Sequence, residues 1–319
     1  FSYFHMSVPS SESLKFKNGR HYSMVFTMES EPHSHGGESW HSADFRMWYN
    51  LDLSFPEPAT YFDVRMHLQD LLTPAYVRFE DKETAANIVW VVSNCNAFNG
   101  RERFMKRLMQ AMKVDSYGGC LKNKNSHPSE HMKGNIELFS KYKFVIAIEN
   151  SNCEDYVTEK LVHAVASGSI PIVAGRDNKP DYLKFMPKNS YINVYDYKSP
   201  DELAKRLTAI ANDKAEYEKF LWFKFSHSYT REQLDGLPLS ELISVAKRIL
   251  DPSEKFFSEL VQKEKSENKL CKIARYLYET ADDVIESEIK AHRRDRPNVA
   301  EACLRPKNLD DDLKSEPKT

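Results

Sequence analysis

Two basic residues stand at the starts of helical patterns, Arg101 in "SNCNAFNGRERFMKRLMQAMK" and Lys160 in "ENSNCEDYVTEKLVHAVASG". A helix N-terminus already carries about half a positive charge, so a cation in its first turn is mildly unfavourable. Each cation follows an apolar run of strand length, "NIVWVV" or "KFVIAI", through a loop rich in Asn and Ser. An anion held between them would turn the penalty into a gain. The exposed amides of a helix start bind phosphate, and each added cation contributes a charge-assisted hydrogen bond. The chemistry these residues suggest is therefore the binding of a phosphate-bearing ligand. Glu159, next to Lys160, can accept two hydrogen bonds from a ribose diol, or can simply complement the helix dipole. Tyr156 can touch the ligand or pack.

The ligand is not expected to be NAD or ATP. No G-x-G-x-x-G follows a strand, and G-x-x-x-x-G-K-[ST] is absent. A nucleoside diphosphate that acts as a leaving group needs its charge neutralised, which Arg and Lys can do without a metal. The other requirement is a general base, usually a carboxylate or a histidine. The loop "EPHSHGGESWH" offers His33, His35, Glu38 and His41, but its spacing matches no helical metal motif such as H-E-x-x-H. We read it as a mobile loop on the acceptor side. The acidic run Asp310 to Asp312 lies in a polar tail and reads as a solvated charge run.

The elements that must position these residues alternate regularly from Asn87 onward. "NIVWVV", "VDSY", "KFVIAI", "SIPIVAG" and "YINVYD" read as strands. "RERFMKRLMQAMK" places Phe104, Leu108 and Ala111 or Met112 at helical spacing, and "NIELFSKY" is a short helix. A further helix runs from about Thr158 to Ser167 and stops at Gly168. "SPDELAKRLTAIAND" opens with Ser199 as N-cap, Pro200 at the first helical position and Glu202 closing a capping box. Alternation of this kind implies a parallel sheet with helices on both faces, whose ligands bind beyond the carboxyl ends of the strands. Residues 87–230 are thus expected to form one Rossmann-like domain. Residues 1–86 are expected to form an N-terminal, acceptor-side domain, which either has further units upstream of Phe1 or is unusually small. Residues 231–319 form a helical extension and a disordered tail. In the first part, residues 1–18 are Ser-rich and expected to be poorly ordered. "HYSMVFTMES" is a strand ending in Glu29, and "DFRMWYNLDLSF" is a second extended segment that "FPEPAT" interrupts.

The 319 residues are 41% hydrophobic and 29% charged, with a net charge of −2. That balance argues against nucleic acid or a membrane surface as partner. No apolar run has the length of a membrane span, and no signal peptide or N-glycosylation sequon is present. The chain starts at Phe1 rather than Met, so a native targeting or anchor segment is expected to be missing. Cys95 and Cys120 follow neighbouring strands, which makes a disulfide between them geometrically conceivable. Cys271 with Cys303 is a second guess that would leave Cys153 odd. Trp90 belongs to a buried strand, whereas Trp40 and Trp48 are candidates to stack on a sugar.

"FTMES", "VVSN…R", "VDSYGGC", "KFVIAIEN" and "DYVTEKLVHAVASGSIPIV" together resemble the α1,3-fucosyltransferases, glycosyltransferase family 10. The resemblance runs from Val25 to about Phe225. "FTMES", "SNC", "DSYGGC" and "EDYVTEK" look most like the plant-type core enzymes, which act on the proximal N-acetylglucosamine of N-glycans. It implies a GT-B architecture of two Rossmann-like domains and GDP-fucose as donor substrate. It also implies inverting transfer without an essential cofactor or metal, with stimulation by a divalent cation left open. By motif, Lys160 and Arg101 would hold the diphosphate and Glu159 the ribose. Ser93, Asn94, Asn150 and Tyr156 would line the rest of the donor pocket, and Glu29 would be the general base. The acceptor would be a glycan or glycoprotein. The location would be the Golgi lumen, reached by a type II membrane protein whose anchor this chain lacks. The "TYRRDSD"-like segment of Lewis-type members is replaced by "LSFPEPATYFDV". An antennary N-acetylglucosamine, a protein hydroxyl, or an inactive GDP-sugar-binding homologue are the alternatives.

Overall fold

The structure is a computed structural model that describes residues 2–5, 23–33, 43–51, 54, 58–125, 131–262, 276, 279–280 and 282–294. Within them the chain is α/β and is organised around two parallel sheets. The first contains β1 (Ser2–His5), β2 (Ser23–Phe26) and β3 (Phe45–Met47) in the order β1-β2-β3. The strand at Ser2–His5 corrects the expectation of disorder over residues 1–18. It pairs in parallel with β2, Ser2 opposite Ser23 and His5 opposite Phe26. Its "SYFH" holds two aromatic strand formers, a signal masked in the reading by the serines that follow.

The second sheet contains β4 (Ile88–Val92), β5 (Val114–Gly118), β6 (Phe144–Ile146), β7 (Ile170–Val173) and β8 (Ile192–Asn193). All its pairs are parallel, in the order β5-β4-β6-β7-β8. The central strands read "IVWVV", "FVI" and "IPIV" because both their faces are covered, as parallel strands require. Trp90 is fully buried there, as expected. Pro171 costs the sheet little on its outer side, because β8 pairs β7 only at Ile172 and Val173. Two parallel sheets are what a GT-B architecture requires.

Helices α1 (Val64–Leu72), α2 (Arg101–Ala111), α3 (His131–Ser140), α4 (Glu159–Ser167) and α5 (Pro200–Ala211) supply the covering layers. Val64, Leu68, Leu71 and Leu72 of α1 share one core with β4, β6 and β7. This helix thus packs on the second sheet although it precedes the expected boundary at residue 87. Ser199 caps α5 by accepting from the Glu202 amide, with Pro200 in the first turn. The return bond lands one residue earlier than a capping box predicts, on the Lys198 amide. The glutamate still satisfies a donor at the helix entrance. The C-terminal part is helical as read, with α6 (Leu239–Ile249) and α7 (Asp282–Arg294). Its tail, including Asp310 to Asp312, lies outside the described residues.

Cys95 and Cys120 form a disulfide with Cα atoms 5.3 Å apart. It ties the loop after β4 to the loop after β5. Cys153 is also disulfide-bonded and so is not the odd cysteine of the sequence reading. Cys271 and Cys303 lie outside the described residues.

Candidate active site

In the second sheet the strand order reverses between β4 and β6, which are neighbours. In open α/β sheets the crevice outside such a switch point is where ligands bind. The two loops leaving it are those that carry Arg101 and Lys160. They are joined to each other by Asn99. Its amide NH donates to Asn150 O at 3.2 Å, and its side chain donates to Glu149 O at 3.0 Å and Asn152 Oδ1 at 2.7 Å.

α4 starts where Thr158 caps it, and it ends at Gly168, whose φ of +69° belongs to the left-handed region that favours glycine. A Cβ at Gly168 would lie 2.6 Å from Cβ of Ala75, so α4 also closes against the chain beyond α1. Lys160 in its first turn does not stand alone. Its Nζ lies 3.1 Å from Glu149 Oε2 and 3.1 Å from Glu159 Oε1, and it donates to Thr158 Oγ1 at 2.8 Å. Glu149 is 1% exposed and accepts from both the amide and the hydroxyl of Thr158. Burial pushes the Glu149 carboxyl up, opposed first by Lys160. Burial pulls Lys160 down, but Glu149 and Glu159 outweigh it and hold its pKa above the ordinary value. Glu149 thus cancels the penalty of a cation at this helix start. Sequence reasoning missed it, although a charged residue directly after "FVIAI" was the available signal.

Arg101 is also buried, 1% exposed. Its guanidinium donates to Ile148 O at 2.8 Å and Asn94 O at 3.2 Å, while Nε lies 3.6 Å from Glu102 and finds no hydrogen-bond acceptor among the described residues. Burial lowers its pKa from the ordinary arginine value, which leaves it charged near neutral pH.

A cavity of about 490 Å³ opens at this edge. Glu29, Ser93, Asn94, Arg101, Asn150, Tyr156, Glu159 and Lys160 all line it, so the expected base and the expected donor contacts meet there. The volume is within the range of small-molecule sites, roughly 300–1,000 Å³. Tyr61 and His33 line it as well. Sequence reasoning missed Tyr61, which sits in the Pro-interrupted "FPEPATYF" where no pattern marked it. His33 was weighed only as a metal ligand, and His35, Glu38 and His41 lie outside the described residues.

Glu29 reaches the cavity from the first sheet, in the loop after β2. Its carboxylate accepts from the Tyr156 hydroxyl at 3.1 Å, and its carbonyl accepts from Trp48 Nε1 at 3.3 Å. Burial, followed by the charges of Glu149 and Glu29, pushes the Tyr156 phenol far above its ordinary pKa, so it is a neutral donor. The next residue, Ser30, lies 3.2 Å from Asn150 Oδ1 and 2.9 Å from Ser151 Oγ. The "ES" and "ENS" segments of the two sheets therefore touch directly. Trp48 is 1% exposed and packs with Tyr49 and Tyr156. That corrects its candidacy for stacking on a sugar, since its ring faces are consumed by the core. Trp40 lies outside the described residues.

Comparison with known proteins identifies the family of this chain. Residues 80–282 match the family model described as "Glycosyltransferase family 10 (fucosyltransferase) C-term". The glycoprotein 3-alpha-L-fucosyltransferase A of Drosophila melanogaster is 32% identical over 211 residues, covering 65% of this chain and 41% of that protein. The GDP-fucose protein O-fucosyltransferase 3 of Gallus gallus is 31% identical over 201 residues, covering 61% of this chain and 41% of that protein. This chain thus spans about two fifths of the length of these relatives. A solved structure described as an alpha1,3-fucosyltransferase with GDP-fucose is 19% identical, with a TM-score of 0.40 over 79% of this chain and 75% of that one. By the match over residues 80–282, this chain belongs to glycosyltransferase family 10, the fucosyltransferases.

Proposed function

We propose that this chain is a GDP-fucose-dependent α1,3-fucosyltransferase that inverts the anomeric centre and acts on an N-acetylglucosamine of a glycan, with the N-glycan core as first choice. One observation carries the reading: the carboxylate of Glu29 and the cations Lys160 and Arg101 line the same cavity from opposite sheets. Glu29 takes the proton of an acceptor hydroxyl as that oxygen attacks fucose C1. The new C1–O bond forms while the C1–O bond to the diphosphate breaks, and GDP leaves with the electron pair. A single displacement of this kind inverts C1. Lys160 and Arg101 oppose the charge that develops on the diphosphate, Arg101 with a buried Nε that has no acceptor among the described residues. Glu159 accepts from the ribose diol. Ser93, Asn94 and Asn150 line the pocket around the nucleotide sugar. Tyr156 is read as a donor contact that also holds the base. The donor site requires no cofactor in this scheme.

A second reading concerns the acceptor alone. The chicken protein O-fucosyltransferase resembles this chain about as closely as the fly glycan enzyme, at 31% and 32% identity. A protein hydroxyl is therefore the competing acceptor. The disulfide at Cys95–Cys120 favours an oxidising compartment, in keeping with a Golgi lumen location.

The test is incubation with GDP-fucose and three acceptor sets: N-glycans with a free core position, antennary glycans, and unglycosylated folded protein domains. Fucose on the core N-acetylglucosamine supports the first reading. Fucose only on serine or threonine, or only on antennae, replaces the acceptor and keeps the donor chemistry. GDP binding without any transfer would sink both.

A further inference from the structure

The turn that precedes Tyr156 carries a buried charge that the proposed chemistry does not use. Asp155 has a φ of +58°, in the left-handed region that non-glycine residues other than Asn and Asp rarely adopt. Its side chain is fully buried. Oδ2 accepts from the Leu51 amide at 3.0 Å, and Oδ1 lies 2.8 Å from Lys184 Nζ. Leu51 belongs to the segment that follows β3, and Lys184 ends the short turn Tyr182–Lys184 that follows β7. One carboxylate therefore joins the first-sheet segment, the donor-side loop after β6 and the segment after β7.

Accepting the Leu51 amide would not by itself require a charge, because a neutral Asn oxygen could do the same. Burying an ion pair is costly unless good geometry and further hydrogen bonds offset the desolvation. The contacts around this pair lead to Glu29. Tyr156, the next residue, donates to Glu29. Its ring lies 4.8 Å from that of Tyr49, which lies 4.6 Å from that of Trp48. The Trp48 indole holds the carbonyl of Glu29. Glu29 is thus gripped at both its side chain and its backbone by a closed circuit of residues 48, 49 and 156. Asp155, directly before Tyr156 of that circuit, also holds the Leu51 amide, two residues after Tyr49, and pairs with Lys184.

We propose that the Asp155–Lys184 pair is a positioning device that holds Tyr156 against Glu29, and so sets the base relative to the donor loop. Neither residue lines the cavity, and the pair acts on the base through Tyr156 and Leu51. The proposal rests on Glu29 being the base.

The decisive variant is the double substitution Asp155→Asn/Lys184→Met, which removes both charges and leaves neither one buried alone. At saturating substrates kcat should fall on the order of 10–100-fold, as for a slightly misplaced catalytic group. The GDP dissociation constant should rise by much less than kcat falls, because Lys160, Arg101 and Glu159 stay in place and of the donor contacts only Tyr156 shifts. A fluorotyrosine at position 156 gives a second readout. Its resonance should shift on Glu29→Gln in the otherwise wild-type protein and lose that response in the double variant. Retained kcat with a responsive resonance would overturn the proposal. A parallel loss of kcat, GDP affinity and thermal stability would also overturn it, by making the pair a general strut. If the double variant does not fold, Lys184→Gln with the same resonance decides between these outcomes. The resonance needs no acceptor, so a wild type that transfers no fucose counts against the function proposed above and leaves this inference separately tested.

Discussion

Tyr156 and Glu29, 127 positions apart in the chain, are joined by a 3.1 Å hydrogen bond from phenol to carboxylate. The bond links the first sheet to the donor-side loop of the second. It also limits how the carboxylate can turn toward an incoming hydroxyl. The sharpest prediction about chemistry follows from it. Glu29→Gln keeps an oxygen for Tyr156 but removes the basic site, and general-base catalysis contributes about 10²–10⁴-fold. Transfer should fall by that order while GDP affinity, measured by calorimetry, stays within about 3-fold of wild type. Undiminished turnover would remove Glu29 from the mechanism.

Lys160 should be a ligand for the diphosphate even though it already contacts Glu149 and Glu159. A charge-assisted hydrogen bond is worth roughly 1.5–3 kcal/mol, so Lys160→Ala should weaken GDP binding about 10–100-fold. The same change strands the buried Glu149, which should lower stability as well. Lys160→Ala/Glu149→Gln should recover the melting temperature but not the affinity. Recovery of both would mean that the lysine serves the fold alone.

The disulfide between Cys95 and Cys120 closes 25 residues of sequence separation and fixes the loop that delivers Ser93, Asn94 and Arg101. In the chain-entropy account a loop of that size contributes about 3 kcal/mol. Cys95→Ser/Cys120→Ser should lower the denaturation midpoint accordingly. It should also weaken GDP binding more than a surface substitution does, since the loop loses its tie to β5. Unaltered GDP affinity would show that Asn99 and Arg101 hold the loop without it.

Stability should also depend on pH through two lysines that do not line the cavity. Lys82 donates to Ser140 O and Tyr142 O, and Lys224 donates to Thr73 O and Asp70 O. Burial pushes both ammonium groups down to about 7. An unfolded lysine titrates near 10.4, so between about pH 7 and pH 10 the unfolded chain keeps protons that the folded chain has released. Stability from these two groups therefore rises with pH through that window, and the penalty is largest below it. Urea midpoints at several pH values should show the slope, and Lys224→Met should flatten it. An equal slope in the variant would assign the dependence elsewhere.

Much of the second sheet was legible from residues alone because its strands are continuous apolar runs and its helices carry explicit caps. Thr158, Gly168 and Ser199 act where local physics put them. The two cation-bearing loops were legible for the same reason, since a strand followed by a polar loop and a helix has few outcomes. β1 escaped because four residues beside a serine-rich run give too short a pattern to register. Tyr61 and Glu149 escaped because neither follows a period; each matters only through what folds next to it.

The sequence by itself determined the α/β class, the order of strands and helices after Asn87, and the type of charge each loop carries. Those are properties of neighbours within one or two turns of chain, where hydrophobic period and capping dominate. Only the tertiary structure decided that β4 and β6 lie side by side, so that Arg101 and Lys160 share one crevice. It alone brought Glu29 to Tyr156 and set Glu149 under Lys160. Such pairings depend on which strands become neighbours and how the two sheets meet, and that is settled by burying the whole core rather than by any local segment.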